Sequence, residues 1–151
     1  MIFSGEHGKA NVTSLVERKS RFAFLLPNED ERSAAVIAGI ADALRGLPLD
    51  ARRTVTFDRG SEFAGHAALD RHFVLASYFC DPHSPWQKGG VENANGRVRR
   101  LLPRESPPEA LARVRLRRLA DQLDGTPRRR LGHRTPGEAF RQHLAAPAGP
   151  P

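Results

Sequence analysis

The order of extended and helical segments in this 151-residue chain predicts a mixed α/β domain built around one sheet. Short apolar runs bounded by turn residues come first and read as strands. A stretch of helical period then separates them from two further strand-like runs. The last third is helical and rich in arginine. One feature gives the layout a chemical focus: Asp58 falls where a short strand stops, Glu92 falls on the first turn of a helix, and thirty-three residues separate them.

In chain order, Ile2-Phe3 is apolar and is followed by a turn-rich loop. Asn11 to Val16 alternates, Glu17 to Arg21 is a charged turn, and Phe22 to Leu26 is an apolar strand closed by Pro27. Together these predict an antiparallel meander. Asn28 and Glu31 have capping-box spacing before a helix whose inner face is Val36, Ile37, Ile40, Ala41, Leu44 and Leu47; Gly46 and Pro48 end it. Arg53 to Phe57 is a strand, His66 to His72 a short helix, and Phe73 to Phe79 the next strand. In the helix that carries Glu92, Val91, Ala94, Val98 and Leu101 form the stripe expected to be buried. Glu92, Asn95, Gly96 and Arg99 form the stripe expected to be functional. Ser106-Pro107-Pro108-Glu109 caps a helix with Leu116, Leu119, Ala120 and Leu123 inside and Arg113, Arg115, Arg117 and Arg118 outside. Thr135-Pro136-Gly137-Glu138 repeats the cap for a last helix through Leu144. A meander first and crossovers later is the layout of an RNase H-like core.

Hydrophobic residues make up 39% of the chain and charged residues 27%, which suits a globular domain with a polar surface. No apolar run approaches the length of a membrane span, and the N-terminus lacks the pattern of a secretory signal. Cys80 is the single cysteine, so no internal disulfide or cysteine-based zinc site can form, and a cytoplasmic protein is expected. The net charge of +7 is unevenly spread. Residues 1–92 carry 11 Lys and Arg against 12 Asp and Glu, whereas residues 93–151 carry 13 Arg against 5 acids. Such a surface favours a polyanion through counterion release; its other reading is a solvated helical face.

A carboxylate at a strand end and another on a helix can converge on a divalent cation. Mg²⁺ takes hard oxygen ligands and keeps waters for substrate phosphates, so few protein carboxylates suffice. Two such ions can clamp the attacking and leaving oxygens of phosphoryl transfer.

Thr56-Phe57-Asp58-Arg59-Gly60-Ser61-Glu62-Phe63, and Asp81 to Gly89 running into Glu92-Asn93-Ala94-Asn95-Gly96, resemble the catalytic core of the IS-thirty family of bacterial insertion-sequence transposases. Arg128 to Phe140 resembles that family's C-terminal signature, and Leu15 to Arg21 its second strand. The resemblance implies a retroviral-integrase-type, RNase H-like fold with an Asp-Asp-Glu triad that cuts and joins DNA with Mg²⁺ or Mn²⁺. Asp58 matches the second acid and Glu92 the third. The family's first Asp lies in a Gly-Asp-Leu stretch that would precede Met1-Ile2-Phe3, and its DNA-binding helices lie further upstream. Glu6, in a turn-like loop, is a poor substitute. The expectation is therefore an N-terminally truncated transposase core, its first strand largely missing and its chemistry inactive as written; the alternative is a non-catalytic DNA-binding remnant.

Lys88, Asn95, Arg99, Arg128, Arg129 and Arg130 are the candidate DNA contacts. Against this, Lys88 can be a plain loop lysine and Asn95 a plain helix-surface residue. Trp86 is expected to anchor its loop on the core, His83 and His133 to be structural, and Cys80 to be buried. The expected organisation is a core over 1–103, a basic helical extension over 104–144 and a disordered tail over 145–151. The expected partners are transposon-end and target DNA, together with intact transposase copies and no membrane, in the bacterial cytoplasm at the nucleoid.

Overall fold

The computed structural model describes residues 10–30, 32–81, 87, 89–103 and 105–146. The predicted Ile2-Phe3 strand and the tail beyond 146 lie outside them. Nine principal elements follow: β1 (Asn11–Val16), β2 (Ala23–Asn28), α1 (Ser33–Arg45), β3 (Thr54–Phe57), α2 (Ala67–Phe73), β4 (Ala76–Phe79), α3 (Gly89–Leu101), α4 (Arg113–Asp124) and α5 (Pro136–Ala145). None of the described helices is long and apolar enough to cross a membrane.

The strands form two ladders. β1 and β2 pair antiparallel, with Val16 opposite Ala23 and Asn11 opposite Asn28. β3 and β4 pair parallel, with Thr54 opposite Ala76 and Phe57 opposite Phe79. Among the described residues no ladder joins the two pairs. Helix α1 spans both: Val36, Ile37, Ile40 and Leu44 cluster with Phe57, Phe63, Leu69, Phe73 and Leu75, and with Leu15 and Leu26 of the first ladder. Ser33 fixes its start, because its hydroxyl accepts the Gly65 N–H at 2.7 Å.

Three local expectations are corrected. β2 runs past Pro27 to Asn28, since among the described residues it pairs with β1 alone and an edge strand tolerates a missing donor. The Asn28 cap does not form: α1 begins at Ser33 behind Arg32, and Asn28 is buried, its Nδ2 donating to Thr13 Oγ1 at 2.6 Å across the hairpin. Similarly, Ser106 to Glu109 opens a single 3-10 turn at Pro108–Leu111, and α4 starts separately at Arg113.

A second apolar cluster joins β1 and β2 to the C-terminal third. Val12 and Leu25 meet Val98 of α3 and Leu102 just beyond it, Ala110 and Leu111 of the 3-10 turn, and Leu116 and Leu123 of α4. The inner face of α4 is the one its periodicity predicts, and Arg113, Arg115, Arg117 and Arg118 are exposed. On α3 the buried stripe is shifted: Val98 is fully buried, Leu102 beyond the helix joins it, and Leu101 is 43% exposed. The seam with α4 draws in the residue four past Val98, which the helix repeat puts on the same side.

α5 starts with the predicted capping box, Thr135 Oγ1 accepting the Glu138 N–H while the Glu138 carboxylate accepts the Thr135 N–H. Its Phe140 stacks on Phe22 with ring centroids 4.5 Å apart and meets the edge of Phe24. Beside this aromatic group the buried Asp124 Oδ1 accepts the Ala23 N–H at 3.1 Å. Gly137 packs on the Asp124 carbonyl oxygen, which a Cβ there would meet at 3.3 Å. Burial pushes the Asp124 carboxyl from an ordinary 3.8 up to about 7 and Asp121 adds to the rise, while the Ala23 N–H and the nearby Arg128 charge oppose it.

Two outcomes test this packing. Leu116→Ala, at a fully buried position, should cost about 2–5 kcal/mol, while Val114→Ala, at a position 64% exposed, should change stability by no more than about 0.5 kcal/mol; urea unfolding measures both. Between the unfolded carboxyl value near 3.8 and the folded value about 7, the folded chain retains a proton on Asp124 that the unfolded chain has released. Asp124 therefore makes stability fall as pH rises through that window and level off above it. Asp124→Asn keeps an oxygen for Ala23 and should remove that component, so the difference between variant and parent melting temperatures should grow from pH 4 to pH 7 and then stay constant.

Candidate functional site

Asp58 follows the last residue of β3, at the carboxyl end of the parallel pair, where open α/β sheets present their ligand-binding loops. The ladder continues one residue beyond Phe79, because Cys80 N–H donates to Phe57 O at 2.9 Å. Arg59 Nε also donates to Cys80 O, at 3.3 Å. The Asp58 carboxylate is half-buried and accepts the Gly60 N–H at 3.2 Å, so the turn itself orients it. Cys80 is buried, as predicted.

The chain leaves β4 through a clasp that periodicity could not reveal. Asp81 N–H donates to Gln87 Oε1 and Gln87 Nε2 donates to Asp81 Oδ2, both at 2.9 Å. The two side-chain bonds hold residues 81 and 87 together immediately before α3 begins at Gly89. Glu92, in the first turn of α3, is exposed. Asp58 and Glu92 thus lead off the same end of the β3–β4 pair, one on the turn after β3 and the other on the helix that follows β4. Among the described residues no three His, Cys, Asp or Glu side chains gather into a metal-binding group.

The remaining predicted residues divide. Asn95 is half-buried, its Oδ1 accepting the Ser14 hydroxyl at 2.6 Å, and it ties α3 to β1. Arg99 is exposed one turn beyond it. Arg129 and Arg130 are exposed on the 3-10 turn Arg129–Leu131. Arg128 is half-buried: its Nη2 donates to Leu123 O at 2.8 Å and its N–H to Arg134 O at 2.9 Å, which closes the α4–α5 connection. Burial, followed by the like charge of Arg97, pulls the Arg128 pKa down against the pull of Asp124. Lys88, His83 and Trp86 lie outside the described residues. His133 takes a left-handed conformation (φ 64°) in the α4–α5 connection.

Two arginines that the sequence reading did not single out have defined positions. The Glu17–Arg21 turn is built on the Glu17 carboxylate, which accepts the Lys19 N–H at 2.9 Å and the Ser20 N–H at 2.6 Å. Burial pushes the Glu17 pKa up, but those bonds, the Ser20 hydroxyl and the His143 charge together hold it below the ordinary range. Arg21 closes the turn in the left-handed region (φ 64°). Its guanidinium lies over Gly90, where a Cβ would come within 2.5 Å of Nη1. Arg97, on α3, donates from Nε to Asn93 Oδ1 at 2.9 Å. The charged turn and the two-glycine start of α3 were visible in the sequence; their meeting was not, because it depends on how the hairpin docks against α3.

No family model matches the chain. Among curated proteins it is 38% identical over 146 residues to the transposase for insertion sequence element IS1086 of Cupriavidus metallidurans, covering 97% of this chain and 43% of that protein. It is 35% identical over 136 residues to the transposase InsI for insertion sequence element IS30C of Escherichia coli, covering 90% of this chain and 36% of that protein. The chain thus spans less than half the length of these relatives. Among solved structures, the catalytic core domain of BIV integrase superposes with a TM-score of 0.62 at 18% identity, covering 92% of this chain and 97% of that one. A chain of the simian T-cell lymphotropic virus intasome in complex with PP2A regulatory subunit B56 gamma superposes with a TM-score of 0.68 at 16% identity, covering 95% of this chain and 55% of that one. The fold is RNase H-like, of the retroviral-integrase type, and over the length it spans the chain has IS-thirty-family and other insertion-sequence transposases as its homologues.

Proposed function

We propose that these residues are the catalytic core of a DNA transposase, with Asp58 and Glu92 as two of its metal-binding acids. The observation that carries the reading is the position of Asp58, a half-buried carboxylate at the carboxyl end of a parallel strand pair whose next element is the Glu92 helix. Both side chains are hard oxygen donors of the kind Mg²⁺ or Mn²⁺ takes, so the donor set fits such an ion. When bound, the ion supplies charge stabilisation for phosphoryl transfer. Asp58 is oriented by the Gly60 N–H, and Glu92 is held by the packing of α3 on β1. Arg99 stands seven residues beyond Glu92 on the same face of α3, where it would meet DNA phosphate. Lys88, Asn95, Arg129 and Arg130 complete the proposed contacts, and Arg128 positions the turn that carries the last two.

The DNA substrate would be transposon ends and target, acted on by an assembly of transposase copies. The 151 residues supply two acids of a three-acid site, and the polypeptide of these residues alone is proposed to bind metal and DNA without cutting. Titration with Mn²⁺ should broaden the amide NMR signals around residues 58 and 92, and Asp58→Asn with Glu92→Gln should abolish that effect. Supercoiled plasmid should stay intact with the 151-residue polypeptide. It should be nicked by a version extended upstream by about ten residues, a strand of ordinary length carrying Gly-Asp-Leu. Nicking by the short polypeptide that Glu92→Gln removes would overturn its inactivity. Unaltered signals on adding Mn²⁺ would overturn the metal site and leave a non-catalytic DNA-binding remnant.

A further inference from the structure

Helix α3 has two charged flanks. Glu92 and Arg99, seven residues apart, share one. Gly90 and Arg97, also seven apart, share another, and Arg97 stands about 140° around the helix from Glu92. Two guanidiniums from two elements lie along that second flank, and a third acts on one of them through its charge. Arg21, from the β1–β2 turn, lies over Gly90. Arg97 is steadied by Asn93. Arg128, at the start of the α4–α5 connection, is close enough for its charge and that of Arg97 to repel. Among the described residues no carboxylate oxygen lies within 4.0 Å of any of the three. Asp124, whose charge acts on Arg128 in the opposite sense, is buried and its Oδ1 accepts the Ala23 N–H. Like charges are gathered here at an electrostatic cost with no carboxylate in ion-pair contact among the described residues, an arrangement that suits an external polyanion.

We propose that Arg21, Arg97 and Arg128 form a phosphate-tracking row on the flank of α3 turned away from Glu92, and that it grips the backbone of duplex DNA beyond the reacting phosphate. Gly90 to Arg97 spans about 10 Å along the helix, comparable with about three phosphate-to-phosphate steps along one DNA strand. Guanidiniums suit the task because they present several donors to phosphate oxygens without reading base sequence. The row gives Gly90 a purpose: a bare Cα leaves the tip of Arg21 its place. The proposal rests on the transposase reading but assigns no part of the metal chemistry.

The test uses the 151-residue chain and a fluorescent 20-base-pair duplex of arbitrary sequence, with anisotropy followed across a range of NaCl. Arg21→Gln and Arg97→Gln should each weaken binding about three- to tenfold at low salt and reduce the magnitude of the salt slope by about one. Gly90→Ala, which displaces the tip of Arg21 without changing charge, should weaken binding in the same direction, and Arg97→Lys should retain most of the affinity. Arg128 is left intact because its bond to Leu123 O holds the connection closed. Equal melting temperatures for variants and parent exclude unfolding as the cause. Unchanged affinity and slope in Arg21→Gln and Arg97→Gln, with the parent binding DNA, would overturn the row and leave the transposase reading standing. A parent that does not bind the duplex would overturn the row as well, while the Mn²⁺ titration at Asp58 and Glu92 separately decides the metal site.

Discussion

The seam where Val12, Val98 and Leu116 meet, all three without exposed surface, is the constraint on which the other features depend. It fixes α3 against the β1–β2 hairpin, and α3 carries Glu92 and Arg99 on one flank and Arg97 on the other. Fully burying such aliphatic side chains stabilises by about 1.5–3 kcal/mol each, so this cluster is comparable in scale with the whole stability of a small domain. The Ser14–Asn95 hydrogen bond adds direction to what apolar contact leaves loosely specified: it sets the rotation of α3 about its axis. Rotation matters here because α3 carries two charged flanks, and turning the helix would exchange the one with Glu92 and Arg99 for the one with Arg97.

The C-terminal third is integrated with that seam. Leu116 and Leu123 supply part of the core, Phe140 stacks on Phe22, and Asp124 bonds the backbone of Ala23. The basic character of this third therefore rides on a packed scaffold, with exposed arginines on α4 and the α4–α5 connection and apolar residues beneath. The capping box of α5 and the Gly137 contact with Asp124 explain why Thr-Pro-Gly-Glu stands where it does: a helix start must fit closely over the end of the preceding helix.

Much of the fold was legible in the sequence. β1, α1, α4 and α5 follow from alternation and helical period, which report burial directly. The α5 cap was readable because both of its partners lie within four residues. The Asn28 cap failed for a related reason: the same side chain had a partner across the hairpin, and a buried donor takes the bond that tertiary packing offers. Leu101 was assigned to the core and Leu102 was not, because the inner face of a helix near its end is chosen by what packs on it. At the candidate site the strand-end aspartate and the helix glutamate were visible as residue types in place. The Asp81–Gln87 clasp and the meeting of Arg21 with Gly90 were not, since each joins side chains whose approach no local period encodes.

The bond between Ala23 and Asp124 links residues 101 positions apart, and this separation bears on the order in which the protein is made. The β1–β2 hairpin leaves the ribosome before α4 and α5 and can close on local contacts. Its other partners, α4 and Phe140, lie far along the chain and emerge later. Contacts of such long range form late, after the intervening chain has been ordered. Until then α3 lacks half of the seam that holds it, and neither of its charged flanks has a settled orientation. Newly made chain thus acquires a defined α3 surface only once α4 and α5 have docked, so synthesis through residue 145 precedes a settled orientation of Glu92.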